Sequence, residues 1–379
     1  MDKRLILVFN VGSSSIKYSL FEDYELLKAG NYERLKVKDD YRDSVKKIFS
    51  EINREVDLVI HRVVHGGDLK QPSKITEEVK GKIKEFSEFA QLHNPKQLMV
   101  IELCEAYKKP QYAVFDTMFF SEIPEVARTY AIPMEITKKY NIRRYGFHGL
   151  SHAYVSKGLK GKTITCHLGS GSSIAAMINE KVIDTSMGLT PLEGLIMGTR
   201  SGTIDPGIIF FLERKGYNVE ETLTEKSGLK GICGENDFRD ILSNMDKDKK
   251  CKLAYDMFAY QITKTIGSYI AVMNGIDNLV FTAAIGENVP RLREDICKHF
   301  EHLGIKIDKE ENKKNSEIIS SKDSKIKVFV KRTNEEKIAV ELVLNEYFSG
   351  KLMLSDFASA KKRLIRNKQS HELKKPEVS

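Results

Sequence analysis

Paired cysteines and long apolar runs are both missing from this sequence. Its five cysteines are scattered without a CxxC pair, and Cys104 and Cys166 lie in apolar segments, which favours reduced thiols over a disulfide framework. No apolar run approaches the roughly 20 residues that cross a bilayer. The N-terminal run MDKRLILVFNV leads into GSSS without a cleavage-like segment, so we interpret it as a first strand and not as a secretion signal. We therefore expect a cytoplasmic protein with no membrane partner.

Positive charge is unevenly distributed along the chain. Residues 351–379 contain eight Lys and Arg against three acidic residues, so this tail carries +5 of the formal net charge of +8. A basic face on a folded domain would indicate nucleic-acid binding, whereas this charge belongs to an appendage. We predict a short amphipathic helix around 357–365 followed by a solvated, disordered extension. A nucleic-acid partner is therefore not expected, and contact of the tail with RNA or an acidic lipid surface is the alternative.

Two similar Gly/Ser turns occur in distant parts of the chain. They lie within LILVFNVGSSSIKYSLF, from Leu5, and TITCHLGSGSSIAAMI, from Thr163. In both, apolar and β-branched residues precede the turn and resume after it, which predicts two β-hairpins. Glycines at the tips let the backbone approach an anion, and successive N–H groups with serine hydroxyls donate to phosphate oxygens. The pair therefore predicts two phosphate-binding turns, with ordinary hairpin turns as the alternative.

The remaining segments alternate between strand-like and helix-like patterns, which is typical of an α/β protein. A length of 379 residues suggests about two domains, and no low-complexity linker interrupts residues 1–345. The predicted elements are a strand at 56–64, helices at 79–89 and 96–107, a strand at 112–115, loops at 145–152 and from 188, helices across 251–274, a strand, glycine loop and helix across 279–294, a strand at 326–330 and a helix from about 335.

Ten short motifs follow one another along residues 1–345. In order they are FNVGSSSIKY, HRVVHGG, LHNP, VFDT, YGFHGLSH, CHLGSGSS, TPLEGLIMGTRSGTIDP, NDFRD, FTAAIGEN and TNEE. This series resembles the acetate kinase family. The resemblance implies the fold of acetate and sugar kinases, heat-shock ATPases and actin, in which two duplicated βββαβαβα lobes of the ribonuclease H-like type close over a nucleotide in a central cleft. It also implies a homodimer, a magnesium ion, and reversible phosphoryl transfer from ATP to acetate giving acetyl phosphate.

By this resemblance, residues 1–118 plus 336–350 form an N-terminal lobe that holds acetate and the first phosphate turn. Residues 119–335 form a C-terminal lobe for the nucleotide and for dimerisation, and 351–379 are a separate basic tail.

The chemistry of the reaction explains the cationic residues of these motifs. Acetate is already an anion at neutral pH, so its oxygen can attack phosphorus without a general base. The site must instead neutralise charge as an anion approaches a polyanionic phosphate. Arginine forks match both carboxylate and phosphoryl oxygens, which suits Arg62 and Arg200. The resemblance implies that these arginines flank acetate and the phosphoryl group, and that His148 hydrogen-bonds that group in the transition state.

Other positions follow from the resemblance alone. Asp116 is a fourth catalytic candidate, which either orients Arg62 or contacts acetate. Glu335 is expected at the metal with Asn10, directly or through water, and His93 has a lesser role near the substrate. The apolar pocket for the acetate methyl comprises Val64, Leu92, Phe147 and Pro191. The nucleotide and phosphate positions are Asn10, Ser13, Ser15, Lys17, His167, Gly169, Ser170, Gly171, Ala284, Gly286 and Asn288.

Each of these residues also has a purely structural interpretation. Arginines commonly form ion pairs, and a buried histidine is commonly a satisfied core residue. Asp116 suits a helix cap, and Glu335 suits the first turn of a helix, where the macrodipole favours a carboxylate. The four apolar residues would be plain core in most proteins.

The sequence departs from the family pattern at three places, of which the first two bear on the binding of the phosphoryl donor. The second turn reads GSG at 169–171 where GNG is usual, and Ala284 stands where glycine lets the backbone lie close to the nucleoside. Lys331 and Arg332 replace an apolar residue and a proline. A pyrophosphate-using acetate kinase is therefore one alternative, and a propionate or butyrate kinase is another. A different class of function is a nucleotide-gated binding module without catalysis.

Overall fold

The computed structural model describes residues 3–348, which form two β-sheets flanked by helices. The strands are β1 (Leu5–Val11), β2 (Ser15–Glu22), β3 (Glu25–Glu33), β4 (Leu58–Val63), β5 (Ser73–Lys74), β6 (Gln111–Phe115), β7 (Lys162–Leu168), β8 (Ser172–Ile178), β9 (Lys181–Thr185), β10 (Asn278–Thr282) and β11 (Lys327–Val330). The helices are α1 (Lys38–Glu51), α2 (Glu77–Glu85), α3 (Asn94–Cys104), α4 (Glu125–Arg128), α5 (Met134–Lys139), α6 (Gly149–Ser156), α7 (Pro206–Arg214), α8 (Val219–Glu225), α9 (Gly228–Cys233), α10 (Phe238–Asn244), α11 (Lys249–Met273), α12 (Ala283–Asn288), α13 (Pro290–Cys297), α14 (Lys309–Lys313) and α15 (Glu335–Phe348). Short 3-10 helices cover Phe86–Phe89, Glu105–Tyr107, Asp116–Phe120 and Lys298–Leu303.

The two sheets repeat one topology. The first has the order β3-β2-β1-β4-β6-β5 and the second the order β11-β10-β7-β8-β9, so each contains three antiparallel strands followed by two strands parallel to the first. Helices separate the parallel strands, as parallel connections require. Both predicted hairpins, β1–β2 and β7–β8, are present. The predicted α/β fold with a duplicated βββαβαβα pattern is thereby confirmed.

Buried strands with both faces covered explain the apolar runs. On β1, Ile6 and Val8 pack with residues of α15 such as Val340, whereas Leu7 and Phe9 face the opposite layer, which contains α1. Alternate residues of a strand point to opposite faces, so a strand between two helical layers is apolar throughout. This packing fixes the carboxyl ends of β1, β4 and β6 beside one another.

The second sheet is covered in the same way. The long helix α11 packs one face, where Phe258 and Ile262 meet Cys166 of β7. On the other face, Val155 of α6 packs against Val280 of β10 and Phe329 of β11. Helices α6 and α15 also contact each other, and together they join the two sheets.

Three predicted elements differ from those observed. Helix α3 begins at Asn94, not at 96, because Pro95 fits the first turn, where its missing N–H has no partner to lose. The loop predicted at 145–152 ends at His148, and α6 starts at Gly149. The predicted glycine loop of FTAAIGEN is helix α12, whose first N–H, that of Ala283, donates to the Glu287 carboxylate at 3.0 Å.

The cysteines and the apolar helices can be compared with the expectations from composition. All five cysteines are free, as the spacing predicted. Within residues 3–348, no helix combines the length and apolarity that crossing a bilayer demands. The predictions for residues 351–379 fall outside the described part of the chain.

Candidate active site

Three polar side chains stand where neighbouring parallel strands of the first sheet end. Asn10 on β1 lies in register with Arg62 on β4, and Asp116 directly follows β6. Glu335, the first residue of α15, reaches the same edge. Because the carboxyl ends of parallel strands meet at one edge of a sheet, the topology itself brings these groups together.

Arg62 is the centre of this group. Its Nε and Nη2 donate to the two oxygens of Asp116 at 3.2 and 2.8 Å, a bidentate pair. Its Nη1 donates to Asn10 Oδ1 at 3.0 Å and lies 2.6 Å from Glu335 Oε2. Planar guanidinium geometry suits such forked contacts. Arg62 is therefore held rigidly by residues from three separate elements.

The charges of this group act on one another. Burial opposes the charge of Arg62, but Asp116 and Glu335 outweigh it and raise the pKa of the guanidinium. Burial raises the pKa of Glu335, Arg62 lowers it, and the nearby carboxylates Asp116 and Glu336 raise it again. The positive charge of Arg62 is thus largely compensated within the protein.

Arg200 lies in the loop between β9 and α7, and its partners differ in kind from those of Arg62. Its Nη1 donates to the Pro191 carbonyl at 3.3 Å and lies 3.6 Å from Met197 Sδ. Within residues 3–348 no carboxylate pairs with it, and burial lowers the pKa of its guanidinium. Arg200 therefore presents a partly buried positive charge that the described part of the chain does not neutralise.

Two stacked imidazoles, those of His148 and His167, line the site. His148 stacks on His167 with ring centroids 4.1 Å apart. His148 Nδ1 is 2.9 Å from Ser173 Oγ, and His167 Nδ1 is 2.7 Å from Ser151 Oγ. His148 itself has φ 57° and begins α6 in the left-handed region, a conformation that turns its ring toward the second phosphate turn.

The cationic groups and the second phosphate turn converge. A Cβ built on Gly171 would lie 3.2 Å from His148 Nε2 and 3.8 Å from Arg200 Nη1. Burial lowers the pKa of His93 to about 4, and Arg200 and Arg62 contribute to that shift. The same two arginines, after burial and the neighbouring rings, hold the pKa of His148 well below its usual value. Arg62, Arg200, His93 and His148 thus share one electrostatic environment.

The first Gly/Ser turn projects its polar groups outward. Ser13 is exposed and Ser15 half-buried, and Lys17 is exposed on β2, in register with Asn10. The Ser13 carbonyl accepts from the Tyr41 hydroxyl at 3.1 Å and from the Lys96 ammonium. These contacts fix the turn while leaving its serine hydroxyls available to a ligand.

The second turn is closed by its own polar groups. Gly169 N–H donates to the Gly171 carbonyl at 3.1 Å, and Ser172 Oγ donates to the Gly169 carbonyl at 3.0 Å. Gly198 N–H donates to the Ser170 carbonyl at 3.0 Å, which ties this turn to the loop that carries Arg200. His167 is the penultimate residue of β7, close to the glycines of this turn.

The four apolar candidates divide into two places. Val64 and Phe147 are buried in a cluster with Ala90, Met187 and Met197. Leu92 and Pro191 instead line a cavity of about 430 Å³ that also includes His93 and Arg200. The assignment of all four to one methyl pocket stays a prediction.

The nucleotide candidates near α12 also have defined places. Ala284 is exposed within the helix, and the left-handed residue is its neighbour Ala283, with φ 65°. Gly286 is buried, and its carbonyl accepts from Arg293 Nη1 at 2.8 Å. Asn288 lines a cavity of about 780 Å³ together with Lys331 and Arg332.

Oxygen donors suited to a hard cation gather at the start of α15. Asn10 Nδ2 donates to both Glu335 and Glu336, at 3.1 and 2.8 Å, so the two carboxylates lie side by side. In residues 3–348 no group of three or more His, Cys, Asp or Glu side chains is arranged to hold a metal unaided. Mg²⁺ is usually bound by one or two carboxylates plus phosphate and water oxygens. This pair fits such a partial ligand set.

Several residues at the site were not identified from the sequence. Glu336 lies within the TNEE motif, and its contact with Asn10 depends on the position of α15. Ser151 and Ser173 contact the imidazoles from a helix and a strand far apart in sequence. Met197 touches Arg200. Only the presence of these residues inside the quoted motifs could have singled them out.

Comparison with known proteins gives consistent matches. A model of the acetokinase family matches residues 37–341. The acetate kinase of Thermoanaerobacterium thermosaccharolyticum is 46% identical, over 87% of this chain and 96% of that protein. The acetate kinase of Thermotoga maritima is 44% identical, over 87% and 96% respectively.

Solved structures agree with these relatives. The crystal structure of Porphyromonas gingivalis acetate kinase has a TM-score of 0.83 and 37% identity, over 90% of this chain and 99% of that one. A propionate kinase from Francisella tularensis also has a TM-score of 0.83 and 37% identity, over 89% and 98%. With a family match over most of its length and relatives above 40% identity, this chain belongs to the acetokinase family.

Proposed function

We propose that this protein is an acetate kinase that transfers a phosphoryl group reversibly from ATP to acetate, giving acetyl phosphate and ADP. The observation that carries the proposal is the charge of Arg200, which is partly buried beside His148 and the second Gly/Ser turn and has no carboxylate partner within residues 3–348. A buried cation without a carboxylate partner is costly unless a ligand anion neutralises it. Acetate and a transferring phosphoryl group are such anions.

The two arginines take different parts in this mechanism. Arg62, anchored by Asp116 and Glu335, acts as a fixed fork that positions the substrate carboxylate. Arg200, with its charge free, stabilises the negative charge that builds as the carboxylate oxygen approaches phosphorus. Direct in-line attack needs no general base, because the nucleophile is already ionised at neutral pH.

His148 completes the set of donors to the phosphoryl group. Its ring is partly buried, and its Nε2 faces Gly171 in the turn that we assign to phosphate. A neutral imidazole donates one hydrogen bond without adding charge, so it stabilises an equatorial phosphoryl oxygen. His93 contributes from the cavity side, near Arg200.

Nucleotide phosphates and magnesium are assigned to the remaining polar groups. The turns at 12–14 and 169–171 would hold phosphates, with Ser13, Ser15, Lys17, His167 and Ser170 as donors. Glu335 and Asn10 would hold Mg²⁺, directly or through water, with Glu336 beside them. When bound, the ion neutralises phosphate charge. The adenosine portion would lie near α12, at Ala284, Gly286 and Asn288.

Acetate is the proposed acceptor, and longer acids are weaker ones. Val64 and Phe147 belong to a buried apolar cluster that also contains Met197. Leu92 and Pro191 line an open cavity together with Arg200. One additional methylene in an apolar pocket changes selectivity by only about 1–3 kcal/mol. We therefore expect propionate to be phosphorylated less efficiently than acetate, and butyrate less again.

We also propose a cytoplasmic homodimer with two lobes, at 1–118 plus 336–350 and at 119–335. Exposed aromatic and aliphatic residues on α7 and α11 support the dimer. Phe210 and Phe211 are 58% and 51% exposed, and Tyr260 is 70% exposed. Large exposed apolar residues mark surfaces for association, and a second copy of the chain is the occupant that we propose.

One assay tests the function and its alternatives together. Acetyl phosphate is trapped as the hydroxamate while ATP, GTP and pyrophosphate are offered in parallel, each with acetate, propionate and butyrate. We expect the highest kcat/KM with ATP and acetate. A preference for pyrophosphate would reassign the donor, and a preference for a longer acid would reassign the acceptor. Nucleotide binding without any acyl phosphate would instead support a non-catalytic binding module.

A further inference from the structure

A continuous chain of hydrogen bonds leads from the interior of the second sheet to His148. Thr165 Oγ1 on β7 is 2.7 Å from His152 Nδ1, and His152 Nε2 is 2.8 Å from Ser173 Oγ. Ser173 Oγ is in turn 2.9 Å from His148 Nδ1. The inner three residues are fully buried. The chain ends at His148 Nε2, which faces Gly171.

The two imidazoles of this chain are neutral. Neither ring lies within ion-pair or hydrogen-bond distance of a carboxylate in residues 3–348. Burial, followed by the neighbouring histidine rings, holds the pKa of both His148 and His152 well below the usual histidine value. A neutral imidazole has one N–H donor and one acceptor nitrogen. Each ring must therefore carry its proton on one side of the chain or on the other.

Counting donors decides between the two directions. If every proton points toward the site, Thr165 donates to His152, His152 Nε2–H donates to Ser173, and Ser173 donates to His148 Nδ1. Every buried hydrogen then has an acceptor. In the reverse direction, Thr165 would accept from His152. Its own hydroxyl hydrogen would then have no acceptor, since the described residues offer Thr165 Oγ1 no other hydrogen bond. Buried polar hydrogens without partners are strongly disfavoured.

We propose that Thr165, His152 and Ser173 are positioning residues that fix the tautomer of His148, so that its proton stays on Nε2 and faces the transferring phosphoryl group. The inference rests on the proposed function for its catalytic meaning, whereas the direction of the chain follows from its contacts together with the neutrality of its two rings. With the proton on Nε2, His148 is a hydrogen-bond donor to an anion. With the proton on Nδ1, its Nε2 lone pair would face that anion and repel it.

Nuclear magnetic resonance of the full-length protein tests the tautomers directly. Long-range ¹H–¹⁵N correlation spectra of ¹⁵N-histidine-labelled protein at pH 7.5 distinguish protonated from unprotonated ring nitrogens, and H148N and H152N variants assign the signals. We expect both His148 and His152 to be protonated at Nε2 and unprotonated at Nδ1. Protonation of His148 at Nδ1, or a charged ring, would overturn the proposal.

Kinetics of hydroxyl variants provide a second readout. S173A removes the link between the rings, and we expect kcat to fall about two- to tenfold, with the KM for acetate unchanged, because only the phosphoryl contact weakens. S173T, which keeps a hydroxyl, is expected to retain most of the lost rate. T165V, which is isosteric, should reduce kcat in the same range, and T165S should restore it. Unchanged kcat in both S173A and T165V would contradict a positioning role.

The matched control is T163V on the same strand. Thr163 is also buried, and its hydroxyl accepts from Asn278 Nδ2 at 3.1 Å, outside the chain to His148. We expect T163V to leave the His148 signals and kcat unchanged, and an equal loss of kcat in T163V would attribute the effect to packing. If S173A fails to fold, the histidine tautomers in the wild-type spectrum and the kcat of T165V still test the positioning role. Wild-type protein with the expected tautomers but without acyl phosphate formation would refute the proposed function and leave the tautomer assignment standing.

Discussion

Gly171 offers the sharpest perturbation of the site, because one methyl group can be placed between the His148 imidazole and the Arg200 guanidinium. In G171A the new Cβ would lie 3.2 Å from His148 Nε2 and 3.8 Å from Arg200 Nη1. Gly171 does not have a left-handed φ, so alanine adds no backbone strain there. The substitution therefore fills the space for the phosphoryl group, and the His148 ring must move by only a few tenths of an ångström to admit the methyl group.

The magnitude follows from the loss of a donor to the transition state. Covering His148 Nε2 removes one preorganised hydrogen bond, which costs about 100-fold to 1,000-fold in turnover, or about 3–4 kcal/mol. The free energy of unfolding should change by less than about 0.5 kcal/mol. Initial rates of hydroxamate formation at saturating ATP and acetate measure the first quantity, and urea titration measures the second.

A matched control separates the site from general effects of alanine. Gly81 lies on α2, and a Cβ there would meet nothing within 4 Å. G81A should leave kcat unchanged and stabilise the helix by up to about 1 kcal/mol. If G171A turned over at near the wild-type rate while remaining folded, the phosphoryl group could not occupy the space between His148 and Arg200, and the reasoning would be refuted.

Three further outcomes are expected. Ala283 has φ 65°, so A283G should raise the free energy of unfolding in urea by about 1 kcal/mol, and a decrease would contradict strain at this residue. Burial lowers the pKa of His61 to about 4 and that of His65 to about 3, whereas the unfolded chain binds protons near pH 6.5. The free energy of unfolding should therefore fall by about 1.4 kcal/mol per pH unit for each of them as the pH drops from 6 to 4, and a flat profile would count against neutral buried rings. On α7, F211D should shift the protein toward monomer in sedimentation velocity, while G81A should not; an unchanged sedimentation coefficient would exclude this surface as the dimer contact.

The fold was predictable where the sequence repeats a simple pattern. Apolar residues on both sides of a Gly/Ser turn identified β1–β2 and β7–β8, because hairpins of buried strands require that composition. The helical state of α12 was not predictable in this way. Its first turn is stabilised by the Ala283 N–H, which donates to the Glu287 carboxylate. The glycine and alanine residues of the motif favour a loop prediction and give no sign of this contact.

The site was predictable as a set of residues but not as a distribution of charge. Arg62 and Arg200 look equivalent in sequence. The strand order places Asp116 after the strand beside that of Arg62, where it pairs with Arg62, whereas within residues 3–348 no carboxylate pairs with Arg200. The roles of the Thr165 and Ser173 hydroxyls could not be predicted from the sequence either. Their hydrogen-bonded chain to His148 depends on the pairing of β7 with β8 and on the packing of α6 against these strands.

Replacement of Arg200 is the most direct test of its proposed role in neutralising the transferring phosphoryl group. Acetyl phosphate formation by R200A is compared with wild type by hydroxamate trapping, with circular dichroism and urea unfolding as measures of the fold. We expect a loss of turnover of several orders of magnitude in a protein whose stability is unchanged or increased, because a partly buried charge without a carboxylate partner among the described residues is removed. Acetyl phosphate formation within a few fold of wild type by folded R200A would contradict it.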